Sequence, residues 1–211
     1  MEEYVSSLNN FTLTINSNTS FIMVQPVHQQ SNITTQGAFY THNVGGQVLD
    51  SSNANSISNL NITAGAIINN QSLVNATFLS MLIIDKPTTY ENIDNSSNQT
   101  LASSVIVTSL QGNSSSSTPM NISLYFQVLD NYKPTVNAIY SCVFYDLNRS
   151  QWNSSGCTIP AFNVLFNRYE CSCNHLSTFA LAWSRDTTPC NVSTEVKWTN
   201  GTCISKADAQ V

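Results

Sequence analysis

The chain has 211 residues, 41% of them hydrophobic and 9% aromatic, which suits one packed domain of ordinary size and excludes wholesale disorder. Only 9% of residues are charged, and seven basic side chains against twelve acidic ones leave a formal charge of −5. That deficit of cations argues against a phosphate-gripping surface, so nucleic acid is not an expected partner.

In chain order, the hydrophobic period is two rather than 3.6. Phe11, Leu13 and Ile15 alternate with polar residues, and apolar runs at 21–24, 79–84 and 105–107 predict more deeply buried strands. Residues 63–73, with Ala64, Ile67 and Ile68, admit a short helix that Gly65 weakens. Met120, Ile122, Leu124, Phe126 and Val128 alternate with Asn121, Ser123, Tyr125 and Gln127, the clearest half-buried strand in the chain. Residues 162–166 predict one more buried strand. The Asn/Ser/Gly/Pro-rich stretches at 92–100 and 112–119 read as solvated loops. Many short strands, turn-rich connections and little helix predict an all-β, disulfide-stapled β-sandwich.

Surface chemistry points to a compartment. The chain holds fourteen Asn-X-Ser/Thr acceptors, at Asn10, Asn18, Asn32, Asn61, Asn70, Asn75, Asn95, Asn98, Asn113, Asn121, Asn148, Asn153, Asn191 and Asn200. Each alone is a weak signal in so Asn-rich a chain. Together with six cysteines, an even number, they predict a secretory route and an oxidising compartment. Met1-Glu2-Glu3 opens no signal peptide, and no apolar run is long enough to span a bilayer. The expectation is a piece of a larger extracellular or membrane-anchored protein.

Composition divides the chain. Residues 1–141 contain no cysteine and predict the body of the sandwich. Residues 142–183 carry Cys142, Cys157, Cys171 and Cys173, and residues 184–211 form a polar extension with Cys190 and Cys203, which are expected to bond to each other. His28 and His42 read as loop residues without a role, and Phe144, Trp152 and Trp183 as core.

The stretch from Cys142 to Trp183 concentrates the chemistry. It contains Phe144, Trp152, Gly156-Cys157 and Cys171-Ser172-Cys173-Asn174-His175-Leu176-Ser177-Thr178-Phe179-Ala180-Leu181. Cys171, Cys173 and His175 could share one strand face as zinc ligands, but structural zinc sites prefer a two-residue gap between paired cysteines. No metal or cofactor is therefore expected. A second reading is structural: Cys171 and Cys173 each reach outward, to Cys142 and Cys157 in an order the residues leave open. A third is self-cleavage. A hydroxyl two positions after a histidine, at a bend between strands, can attack the peptide bond just before it. Ser177 Oγ would add to the Leu176 carbonyl, with His175, whose free pKa is about 6.5, as the base.

These residues resemble the GPCR proteolysis site, which closes the GAIN domain of adhesion G-protein-coupled receptors and polycystin-1-like proteins. The resemblance implies a Leu176–Ser177 scissile bond with His175 as base and Ser177 as nucleophile. It implies pairing of Cys142 with Cys171 and of Cys157 with Cys173. It further implies that the two fragments stay associated, the second beginning with a buried strand of Thr178, Phe179, Ala180, Leu181, Ala182 and Trp183 that serves some receptors as a tethered agonist. A downstream transmembrane region of the same protein would then be its partner, on the outer side of the cell membrane. The chain departs from the pattern in carrying Phe144 for the usual Trp, a small Ala182 within the strand, a hydrophilic tail after it, and too few residues for the family's helical subdomain.

Overall fold

A computed structural model of the chain describes residues 12–27, 35–49, 57, 60–73, 76–91, 99–112, 120–187, 195–197 and 203–205. The period-two patterning resolves into short strands. The first eight are β1 (Leu13–Asn16), β2 (Ser20–Pro26), β3 (Thr35–Thr41), β4 (Gly45–Leu49), β5 (Ala64–Asn69), β6 (Ala76–Ile84), β7 (Thr100–Leu101) and β8 (Val105–Gly112). They are followed by β9 (Ile122–Phe126), β10 (Ala138–Asp146), β11 (Gln151–Asn153), β12 (Ala161–Asn163), β13 (Arg168–Cys173), β14 (Thr178–Arg185), β15 (Glu195–Lys197) and β16 (Cys203–Ser205).

Two sheets form the body. One runs β1-β2-β6-β8-β14-β10-β11, with β7 also paired to β14, and the other runs β12-β13-β9-β5-β3-β4. Their facing side chains make one core that includes Tyr40, Ile68, Met81, Leu124, Phe126, Phe179 and Leu181. The fold is the expected disulfide-stapled β-sandwich, and every helical segment among the described residues is a single 3-10 turn. Within residues 120–128 the alternation holds over β9, where Ile122, Leu124 and Phe126 are buried while Ser123 and Tyr125 are half-buried; Met120 and Val128 at its ends are half-buried.

Two local expectations fail for physical reasons. Residues 63–73 hold no α-helix; they form β5 and a 3-10 turn at Asn70–Leu73. β5 is paired along both edges, to β3 and to β9, and its faces are covered by two separate clusters, so it shows no polar alternation. Ala64, Ala66 and Ile68 point into the inter-sheet core, and Ile67 joins a separate cluster with Phe39, Leu49, Ile57 and Ile62. A run with both faces buried looks alike for helix and strand, and main-chain pairing decides between them. Residues 162–166 do not form a buried strand either. β12 is a three-residue edge strand, and Asn163 Oδ1 accepts the Leu165 amide (3.1 Å) to turn the chain away from the sheet. Phe162, Val164 and Leu165 are left 49%, 79% and 88% exposed.

The tail adds a separate two-stranded sheet of β15 and β16. Cys203 is disulfide-bonded, whereas Cys190, its expected partner, lies outside the described residues. Phe11 and His28 also lie outside them.

Candidate functional site

The site lies where the chain crosses from one sheet to the other. β13 ends at Cys173 in the smaller sheet, β14 begins at Thr178 in the larger one, and Asn174 to Ser177 form the bend between them. Both ends of this crossing are anchored. Cys171 is bonded to Cys142 on β10, with Cα atoms 6.6 Å apart, which ties the sheets together. Cys173 is bonded to Cys157, with Cα atoms 4.0 Å apart, which fastens the end of β13 to the segment following β11. Thr158 N also donates to Ser172 O (2.8 Å), and Asn174 N to Gly156 O (2.9 Å).

Gly156 has φ +76°, a left-handed conformation that suits glycine. A Cβ there would collide with Asn174 Oδ1 and sit 3.2 Å from His175 Nδ1. The bare backbone at 156 therefore forms the wall against which the Asn174 amide and the imidazole rest. Asn174 Oδ1 lies 3.1 Å from His175 Nδ1. An amide oxygen can only accept, so Nδ1 carries the proton and Nε2 keeps its lone pair. Nε2 is buried and has no hydrogen-bond partner, so Ser177 Oγ is not bonded to it in this structure. The ring packs edge-on against Phe144, with centroids 4.4 Å apart, and beside Phe179 at 5.6 Å. Burial holds its pKa below the ordinary histidine value. The arrangement is an imidazole that burial biases toward its neutral form, with one ring nitrogen buried and unpartnered, two residues from a hydroxyl.

Ser177 is held from β8. Thr108 N donates to Ser177 O (2.9 Å), Thr108 Oγ1 donates to the same oxygen (3.2 Å), and Ser177 N donates to Thr108 Oγ1 (3.4 Å). Beyond the bend, Phe179, Ala180, Leu181 and Ala182 are all fully buried, which the alternation of Phe179, Leu181 and Trp183 does not suggest. Phe179 and Leu181 enter the inter-sheet core. Ala180 and Ala182 pack on the opposite face of the sheet, beneath a second cluster of Leu101, Val105, Val143 and Trp152, with Tyr90 and Tyr145 against it. Small side chains suit positions lying under that aromatic cover. Trp152 is buried as core, while Phe144 is half-buried and borders the imidazole.

β14 has an unusual edge toward β7. Ala102 N donates to Leu181 O (2.8 Å), but Leu181 N donates to the Ser103 hydroxyl (2.9 Å) instead of a carbonyl. Behind it, Ser104 Oγ donates to Asp85 Oδ1 (3.3 Å), and Asp85 Oδ2 lies 2.5 Å from His42 Nδ1. His42 is thus paired with a buried carboxylate and is not a roleless loop residue.

Residues 7–186 match the family described as GPS: GAIN subdomain B. The chain belongs to this family. Its fold is also similar to that of the full extracellular region of zebrafish Gpr126/Adgrg6, with a TM-score of 0.53 and 24% identity over 83% of this chain. The chain spans 25% of that region's length, so this likeness bears on fold alone.

Within this GAIN subdomain B, His175, Leu176 and Ser177 share one bend, and Thr178 to Trp183 follow as an interior strand. Glu170 accepts from Arg168 Nε (2.8 Å) and Asn163 Nδ2 (2.9 Å). Arg168 is itself buried between the Tyr125 and Phe166 rings, with Ile57 and Leu60 carbonyls at its guanidinium. Sequence reading misses Thr108 and Ser103, whose separations of 69 and 78 residues from their partners leave no local signal. Gly156 and Asn174 stand inside the motif, and only the bend shows that one shapes the other.

Proposed function

We propose that this domain cleaves its own Leu176–Ser177 bond. His175 Nε2 takes the Ser177 Oγ proton, Oγ adds to the Leu176 carbonyl carbon, and the amide becomes an ester that water hydrolyses. The observation that carries this reading is the state of His175: Nδ1 is committed to Asn174, Nε2 is buried and unpartnered, and burial favours the neutral base. Nε2 and Oγ are not hydrogen-bonded in the resting chain, and catalytic hydrogen bonds are commonly loose before the reaction begins. Strands and disulfides on both sides supply the effective molarity.

In this reading residues 1–141 are the sandwich body, 142–183 the cleavage motif and 184–211 an extension. The cut leaves two fragments joined by β14, whose pairing and burial do not depend on the scissile bond. Phe179 alone, fully buried, contributes about 2–3 kcal/mol of apolar burial. Thr178, Phe179, Ala180, Leu181, Ala182 and Trp183 are then the candidate tethered agonist, acting on a transmembrane region of the same protein. The domain stands outside the cell, glycosylated at a subset of its Asn acceptors. No helix among the described residues is long and apolar enough to cross a membrane.

A second reading has one observation in its favour. The missing bond to Nε2 suits an uncleaved adhesion or linker sandwich in which the motif serves only as a staple. A denaturing gel and intact mass of the secreted, reduced chain separate the two. Self-cleavage gives two fragments, ending at Leu176 and beginning at Ser177, that co-migrate under native conditions. Ser177→Ala and His175→Ala each give one folded, intact chain. A wild-type chain that stays whole and matches Ser177→Ala refutes self-cleavage.

A further inference from the structure

Thr108 departs from the antiparallel ladder at the atom where the reaction would occur. β8 pairs with β14 at Thr178↔Val107 and Phe179↔Ile106, so the next pair is Ser177 with Thr108. One of its two expected bonds is present: Thr108 N donates to Ser177 O (2.9 Å). The return bond from Ser177 N goes to the Thr108 hydroxyl, at 3.4 Å, instead of a carbonyl. Thr108 is 4% exposed.

That exchange of acceptor matters chemically. A carbonyl can only accept, whereas a hydroxyl accepts or donates as its torsion turns. Ser177 N is the atom that gains acceptor character, while staying a donor, during an N→O acyl shift. It begins as an amide donor and acquires a lone pair once Oγ has added to the carbonyl carbon. The hydroxyl now donates to Ser177 O (3.2 Å), and that oxygen keeps the Thr108 amide when the hydroxyl turns away. Turning therefore leaves no carbonyl stranded.

We propose that Thr108 Oγ1 acts on the departing nitrogen of the Leu176–Ser177 bond, accepting its N–H in the resting chain and donating to the lone pair that the freed amine holds once the imidazolium proton has arrived and the C–N bond has parted. This rests on the self-cleavage reading and adds a catalytic group to it. The Ser177 Oγ proton passes to His175 Nε2, the Oγ–C bond forms and the C–N bond breaks. The nitrogen keeps its own hydrogen and receives the proton back from the imidazolium, becoming a primary amine. Thr108 ends with the proton it began with. Water then hydrolyses the ester, releasing the Leu176 carboxylate and restoring the Ser177 hydroxyl.

The test compares Thr108→Val, Thr108→Ala and Thr108→Ser in the full 211-residue chain, following precursor decay after a pulse of synthesis. Valine keeps the shape, the β-branch and the main-chain amide, and removes only the hydroxyl. Wild type and Thr108→Ser should cut at similar rates, while Thr108→Val and Thr108→Ala slow by about 100-fold, the scale of one hydrogen-bond donor lost from a reacting centre. Hydroxylamine, which cleaves the ester but not the amide, should leave Thr108→Val uncut. Thr108→Val cutting at the wild-type rate overturns the role of Thr108 and leaves self-cleavage standing. So does full rescue of Thr108→Val by hydroxylamine, or a folded Thr108→Ser as slow as the alanine variant. Should valine prevent folding, the alanine and serine pair decides alone. A wild-type precursor that never decays overturns both readings.

Discussion

The two flanks of β14 are built differently. Toward β10 the ladder is continuous, seven consecutive pairs from Ala138↔Arg185 to Phe144↔Phe179, and β10 is itself bonded to the opposite sheet through Cys142–Cys171. Toward β8 and β7 it is broken into two pairs at Thr178 and Phe179 and two at Ala182 and Trp183. Side-chain hydroxyls stand in for main-chain acceptors beside it: Thr108 at Ser177 and Ser103 at Leu181. The regular flank retains the strand. The irregular flank lets the chain bend at Ser177 and places adjustable donors and acceptors there, where a rigid carbonyl could do only one thing.

The largest expected effect comes from weakening the regular flank. The Cys142–Cys171 bond closes a loop across 29 positions. Replacing both cysteines with alanine should lower unfolding stability by about 3–4 kcal/mol on the chain-entropy model. Both must be replaced, since a single thiol left in an oxidising compartment would seek another partner. Urea denaturation of Ser177→Ala with and without the staple measures this on an uncut background. A change under about 1 kcal/mol would mean the β10 ladder, without its covalent tie, suffices to hold β14.

A smaller effect is expected on the irregular flank. Ser103→Ala removes the acceptor of the buried Leu181 amide and should cost about 1–3 kcal/mol, the penalty of an unsatisfied buried donor. Its signature is local. Hydrogen exchange at Leu181 should accelerate, while exchange at β10 amides follows only the global loss. Equal acceleration on both sides would show that the flanks open together and that the contrast between them has no energetic meaning.

How far the residues foretell this contrast depends on how local each feature is. β9 is legible because one face of it is apolar and the other polar, from Ile122 to Phe126. β5 is not, because Ala64, Gly65, Ala66, Ile67 and Ile68 are buried on both faces and carry no period. β14 is half-legible: Phe179, Leu181 and Trp183 mark the inner face, but the burial of Ala180 and Ala182 depends on Trp152, Tyr90 and Tyr145 covering them from elsewhere. At residues 162–166 an apolar run implies burial, yet a single Asn163 turn sends Val164 and Leu165 into solvent. The bend is written compactly in Cys171 to Ser177, with its histidine and hydroxyl two positions apart. The hydroxyls of Thr108 and Ser103 are invisible in a chain so rich in Ser and Thr, because their meaning arises only when strands distant in sequence are paired.

The smallest expected effect concerns the imidazole at the junction of the two flanks. The groups touching His175, namely Asn174, Gly156, Phe144 and Phe179, carry no charge, and burial is what lowers its pKa. The folded value therefore lies below the unfolded value of about 6.5. The sign follows: the fold favours the neutral ring, so its contribution to stability is complete above the unfolded value and is lost as pH falls through the folded one. The free base that the proposed cleavage requires persists to lower pH than it would on an unburied histidine. In Ser177→Ala protein, the His175 ring followed by NMR should titrate with a midpoint below that of His175 in the denatured chain. Phe144→Ala, which opens one wall of the pocket to water, should move the midpoint back toward it. A midpoint at or above the denatured value would mean that water or a carboxylate reaches Nε2, and the buried free base on which the cleavage chemistry depends would not exist.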